Sequence, residues 1–280
     1  MKCPIVIAEI GAPHLGSLDR AKELVSLAKL CGANYAKFQK RDPELCVPLE
    51  LRDKPHPNQK FAYGNTYLEH RKALELSIEQ HKEIMEYCSL IGIKYASSVW
   101  DINSTKDIIS LDTDFIKIPS ACNHNKNLIT YIFDNSQSDI HISLGMSSFE
   151  EKESLINYLK SYKSQRFVIY HCTSLYPCSF DKLHLLEIER LQEYGLRVGF
   201  SNHGYGIAAD IASMVLGAEY IERHFIDDRS INHTDAAASL EPEGLRKLCR
   251  DLKNVSSAMS YAPYVPDEIE MKERRKLRID

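Results

Sequence analysis

The sequence contains no apolar run approaching the roughly 20 residues that a membrane-spanning helix requires, and its mean hydropathy is −0.33. A membrane partner is therefore not expected. The first ten residues, MKCPIVIAEI, hold one lysine and no small-residue cleavage site, so they do not read as a secretory signal. The eight cysteines, at positions 3, 31, 46, 88, 122, 172, 178 and 249, include no Cys-x-x-Cys pair. Scattered thiols without a signal read as reduced side chains of a cytoplasmic protein. Charge of one sign is also missing: Lys plus Arg is 35 against Asp plus Glu of 39, a net of −4. That balance has no generic attraction for nucleic acid, so an anionic substrate must be held by a few placed cations.

What is present is a globular composition, 44% hydrophobic over 280 residues, enough for one large core. One pattern repeats along it. Short apolar runs predict strands at Ile5–Ile10, Tyr35–Gln39, Lys94–Ser98, Phe115–Ile118, Ile140–Ser143, Phe167–His171, Arg197–Ser201 and Tyr220–His224. Amphipathic segments between them predict helices, the clearest over Leu18–Cys31, Ile78–Ile91, Phe149–Tyr162, Leu185–Tyr194, Ile207–Leu216 and Glu243–Met259. Eight such units in a chain of this length predict a single (β/α)8 TIM barrel over residues 1–260. The alternative, a doubly wound open sheet, lacks its glycine-rich phosphate loop after the first strand. Residues 41–75 form one long connection, aromatic at Phe61, Tyr63 and Tyr67, and read as a lid whose contacts are Tyr63, Tyr67, His70 and Arg71. Residues 261–280 read as a polar C-terminal extension.

Barrel sites lie at the carboxyl ends of the strands, and here all eight ends are polar. They carry Glu9 and His14, Lys37 and Gln39, Ser97, Ser98 and Asp101, Lys117 and Ser120, and Ser143. The series continues with His171, Thr173 and Ser174, then Ser201 and His203, then Glu222 and His224. Each alone has a bland explanation, since such lysines snorkel, histidines brace loops and serines cap helices. Together they do not. Lys37 and Lys117 with Ser98, Ser120 and Ser143 can ring a phosphate. His203 and His224 on neighbouring strands, with Glu9 nearby once the barrel closes, can share a divalent ion such as Mn2+ or Zn2+.

The segments IAEIGxxHxG at 7–16, KFQ at 37–39, FIKIPS at 115–120, SLGM at 143–146, HCTSLYP at 171–177, GFSNHGYGI at 199–207, IERHF at 221–225 and SLEP at 239–242 resemble the sialic acid synthase family. The resemblance runs over the whole barrel with its motifs in order. It implies a synthase that condenses phosphoenolpyruvate with N-acetylmannosamine or a related aldose. It also implies Mn2+ or Mg2+ on His203 and His224. Lys37, Ser98, Lys117, Ser120, Ser143 and Ser201 would then hold phosphoenolpyruvate, with Glu9, Lys37 and Lys117 as catalytic groups. Gln39, Tyr176 and Asp235 match positions around the acceptor sugar. Departures fall on the acceptor side: Pro13 replaces an asparagine, Thr234-Asp235-Ala236 replaces Pro-Asp-His, and His184 replaces a second asparagine. Relatives continue into an antifreeze-like domain, whereas this sequence stops shortly after Arg274 and Arg275. The expectation is therefore a barrel whose long loop covers its own site, with a homo-oligomer as a further expectation. Two other functions stay open: a synthase using a phosphorylated aldose, and a non-catalytic sugar-binding barrel.

Overall fold

Alternation along each apolar run gives one face to the barrel interior and the other to the helices. In the computed structural model, which describes residues 1–231, 233–262 and 264–279, eight parallel strands close in sequence order. They are β1 Ile5–Gly11, β2 Tyr35–Lys40, β3 Lys94–Val99, β4 Phe115–Ile118, β5 Asp139–Ser143, β6 Phe167–Cys172, β7 Arg197–Asn202 and β8 Tyr220–His224. The predicted (β/α)8 barrel is the observed fold. Most strands run one residue longer than predicted, because ladder pairing continues into their polar ends.

The helices are α1 Leu18–Cys31, α2 Pro43–Cys46, α3 Tyr67–Ala73, α4 Ile78–Ile91, α5 Ile102–Ile109 and α6 Lys126–Asn135. They continue with α7 Phe149–Ser161, α8 Glu187–Gln192, α9 Ala208–Val215, α10 Pro242–Ala258 and α11 Glu268–Leu277. Residues 41–75 are therefore not one structureless connection. Asp42 caps α2, and a Thr66/Glu69 capping box starts α3. The C-terminal extension also holds a helix, capped by Asp267 and without a buried residue. Positions 263 and 280 of that extension lie outside the described residues.

A layer of large side chains plugs the lower half of the barrel: Ile7, Tyr35, Phe115, Val168, Tyr170 and Tyr220 form one buried cluster. Gly199 makes room for it, since a Cβ there would sit 2.6 Å from the Tyr170 ring. The upper layer, one pleat further along each strand, is polar. Ladder register sets Glu9 beside Lys37 and His224, Ser98 beside Lys117, and Ser201 beside Glu222.

Two imidazoles outside that layer bear on stability. Burial holds His14 down at about 4 and His81 at about 3, while histidine in an unfolded chain titrates near 6.5. The unfolded chain therefore binds more protons below about pH 6.5, and stability falls as the solution is acidified from there. The urea midpoint is expected to drop between about pH 6.5 and 5, above the range where carboxylates titrate. A flat midpoint over that interval would contradict the assignment.

Candidate active site

Four charged side chains converge on the floor of a cavity of about 250 Å³ at the carboxyl ends of the strands. Lys37 pairs with Glu9, donates to Ser98 Oγ at 2.8 Å, and lies 3.8 Å from Glu222 Oε2. Lys117 reaches the same Glu222 oxygen at 3.1 Å, and Ser201 donates to the other carboxylate oxygen at 3.2 Å. The Lys117 ammonium sits 3.2 Å from the Tyr170 ring centroid, a cation–π contact with the plug below. All four ionic groups are buried, with Lys37 at 2% and Lys117 at 1% exposure.

Burial alone would neutralise such groups, so their mutual pairing keeps them charged. Burial pushes Glu222 up, but Lys117 and Lys37 outweigh it and hold the carboxyl at about 2. Burial lowers Lys37, and Glu222 and Glu9 more than offset that. Lys117 falls to about 8, through burial and the repulsion of Lys37, against the pull of Glu222. It is the ammonium least well compensated.

Beside this quartet stand His203 and His224, ring centroids 5.5 Å apart, with the Tyr176 ring tilted against His203 at 4.0 Å. His203 Nδ1 donates to the Thr173 carbonyl at 3.0 Å, which leaves Nε2 with a free lone pair. Burial, then His224, lower His203 to about 3, so the ring is neutral and able to ligate. His224 Nδ1 is buried without a hydrogen-bond partner, 3.9 Å from Asp235 Oδ2. Burial would raise Asp235, but His224, His233 and His203 around it keep its carboxyl below the usual range. Among the described residues no group of three or more His, Cys, Asp or Glu is arranged to hold a metal. A cation here would rest on two imidazoles, with oxygens completing its shell.

A model of the NeuB family matches residues 24–263. The chain belongs to the NeuB family. It is 32% identical over 262 residues to N,N'-diacetyllegionaminic acid synthase of Campylobacter jejuni, covering 92% of this chain and 78% of that one. Human N-acetylneuraminate-9-phosphate synthase is 33% identical over 256 residues, 91% of this chain and 70% of its own. The crystal structure of an N-acetylneuraminic acid synthetase from Leptospira borgpetersenii, in complex with citrate, superposes with a TM-score of 0.82. It has 26% identity and covers 99% of this chain and 93% of that one. This NeuB-family chain is thus an enzyme of the N-acetylneuraminate synthase type.

The NeuB-family cavity gathers every predicted site residue: Glu9, Lys37, Gln39, Ser98, Lys117, Ser120, Ser143, Tyr176, Ser201, His203, His224 and Asp235 line it. Gln39 donates to Glu9 Oε1 at 2.8 Å. Other polar strand ends do structural work. Asp101 caps α5 and binds the Asp42 amide, and His171 bonds the Leu183 carbonyl. Thr173 bonds the Lys182 carbonyl. His184 is exposed and is not among the lining residues. From the predicted lid, His70 and Arg71 line the cavity together with Phe61. Tyr67 instead stacks on His56 and His70, and the Tyr63 ring lies 5.9 Å from His70. Sequence reasoning left Glu222 without a role, although its spacing from His224 put both on one face.

Proposed function

We propose that this enzyme joins phosphoenolpyruvate to the aldehyde carbon of an open-chain aldose such as N-acetylmannosamine, yielding a nonulosonic acid and phosphate, with residues 1–260 as the synthase domain. The carrying observation is the buried quartet: two ammonium groups against two carboxylates, walled by serine hydroxyls. In this reading Lys37 and Lys117, with Ser98, Ser120, Ser143 and Ser201, hold the carboxylate and phosphate of phosphoenolpyruvate. Charge-assisted bonds in a closed, largely dry site are the strongest available to a protein. An arriving anion supplies the counter-charge that Glu222 now divides between two lysines. Gln39, Tyr176 and Asp235 position the acceptor.

C3 of phosphoenolpyruvate then attacks the aldehyde carbon and C2 becomes electron-poor. Glu9 orients a water toward C2, takes one of its protons and returns it to the alkoxide left at the former aldehyde oxygen. The tetrahedral centre that results expels phosphate, which carries off the C2 hydroxyl proton as the carbonyl forms. His203 and His224 would hold Mn2+ or Mg2+, and the unpartnered His224 Nδ1 fits that role. When bound, such an ion supplies Lewis-acid polarisation of the aldehyde oxygen.

Phosphate release with phosphoenolpyruvate and a panel of sugars tests the reaction. Release with at least one aldose, lost in EDTA and restored by Mn2+ or Mg2+, is the expected result. Turnover undiminished in chelator would remove the metal from the reading, and no release with any sugar would remove the reading itself. Lys117→Ala is expected to raise the KM for phosphoenolpyruvate about 10- to 100-fold, the worth of one charged hydrogen bond. The KM for the sugar should move far less. An unchanged phosphoenolpyruvate KM would show that Lys117 does not touch it.

A further inference from the structure

Three N–H donors of cavity-lining residues have no acceptor among the described residues. Arg41 Nε, Arg71 Nε and Trp100 Nε1 are each buried without a hydrogen-bond partner, and all three residues line the cavity. An unsatisfied buried donor is costly and asks for an explanation. The three side chains come from separate places: Arg41 directly follows β2, Trp100 directly follows β3, and Arg71 lies in α3. The Arg41 guanidinium stacks on the indole, its Cζ 3.9 Å from the ring centroid, which fixes its plane.

Charge tells the same story. Among the described residues Glu75 is the one carboxylate ion-paired with these guanidiniums, its Oε1 3.4 Å from Arg41 Nε and 3.2 Å from Arg71 Nη2. The contact to Arg41 Nε is within Coulombic range but not aligned as a hydrogen bond. Two cations against one anion leave this corner with an excess of one positive charge, whereas the floor quartet is balanced. Burial, and the repulsion of Arg71, lower Arg41 to about 10 against the pull of Glu75, so it remains charged at neutral pH. Arg41 also donates to Gln39, whose amide donates to Glu9, tying the corner to the quartet.

We infer that Arg41, Arg71 and Trp100 form an anion subsite, separate from Lys37 and Lys117, that receives the phosphoryl group of a phosphorylated amino-sugar acceptor. Three donors on three side chains suit a group with three terminal oxygens better than a two-oxygen carboxylate. The inference rests on the condensing reading above and narrows its acceptor.

Isothermal titration in saturating phosphoenolpyruvate and EDTA, where turnover is expected to stop, with N-acetylmannosamine and its 6-phosphate as titrants, tests it. The wild type is expected to bind the 6-phosphate at least about tenfold more tightly, a lower bound for a charged hydrogen bond. Arg71→Gln should cut that preference about 10- to 100-fold. Trp100→Phe, which keeps a ring beneath Arg41 and removes only the N–H, should cut it about three- to tenfold. Equal affinity for the two sugars in the wild type, or a preference unchanged in both variants, overturns the inference. So does 6-phosphate binding that vanishes once phosphoenolpyruvate is saturating, since the phosphoryl group then sits at the lysines. Failure of the condensing reading looks different: no phosphoenolpyruvate binding and no phosphate release, while the two sugars, titrated alone, still report their affinity ratio.

Discussion

Glu9→Gln is expected to lower kcat by about 100- to 10,000-fold, the range for removing a positioned general base. Glu9 lies on the inner face of β1 at 2% exposure, in register with Lys37 on one side and His224 on the other. Glutamine keeps the shape and can still accept from Gln39, but it cannot take a proton from water. The loss should therefore fall on kcat more than on either KM. Steady-state phosphate release, with circular dichroism to establish folding, is the measurement. A variant within threefold of wild-type kcat would pass the proton-accepting role to Glu222.

The largest effect on stability is expected from Arg223→Met. Arg223 is 1% exposed and its partner Asp210 is fully buried. Its Nη1 donates to Asp210 Oδ2 at 2.6 Å and to the Gly206 carbonyl at 2.7 Å. Its Nη2 donates to the Gly204 carbonyl at 2.8 Å. Burial raises the Asp210 carboxyl, and Arg223 with Asn202 opposes that. Removing the guanidinium strands a buried carboxylate, at a cost of about 3–5 kcal/mol. Urea unfolding should show this loss, and the double variant Arg223→Met/Asp210→Leu should recover much of it. A loss below about 1 kcal/mol would mean that water reaches the pair. The carbonyls that Arg223 grips, those of Gly204 and Gly206, lie just after His203, so on the proposed metal role of His203 a folded Arg223→Met protein is expected to bind Mn2+ more weakly.

Local pattern made the barrel readable. Each strand is a short run with one apolar face turned to the helices, and α1 and α4 end at glycines that adopt the left-handed conformation. The site was legible for a related reason: in a closed barrel every strand end faces the same mouth, so listing those ends is nearly listing the lining. Partnership was not legible. Glu222 and Lys117 are 105 residues apart, and nothing local to either announces that one carboxylate serves two lysines. The Arg41–Trp100 stack likewise exists only because β2 and β3 are neighbours. Helix α5 is not among the clearest amphipathic runs, although the Asp101 that caps it is visible in the sequence. Helices α2 and α3 escaped because prolines and charges hide a short turn inside a loop-like composition.

The ring that Gly199 admits has a consequence for traffic. With Tyr170 and its aromatic neighbours filling the lower half, the cavity is closed from below. Arg41, Arg71 and Tyr176 line the same cavity as Lys37 and Lys117. On the proposed reaction a sugar seated nearer the strand ends' solvent side bars the way to the lysines, so the deeper substrate is expected to arrive first. The expected kinetics of that proposed reaction are therefore a compulsory queue, phosphoenolpyruvate before acceptor, with excess sugar acting as a stopper.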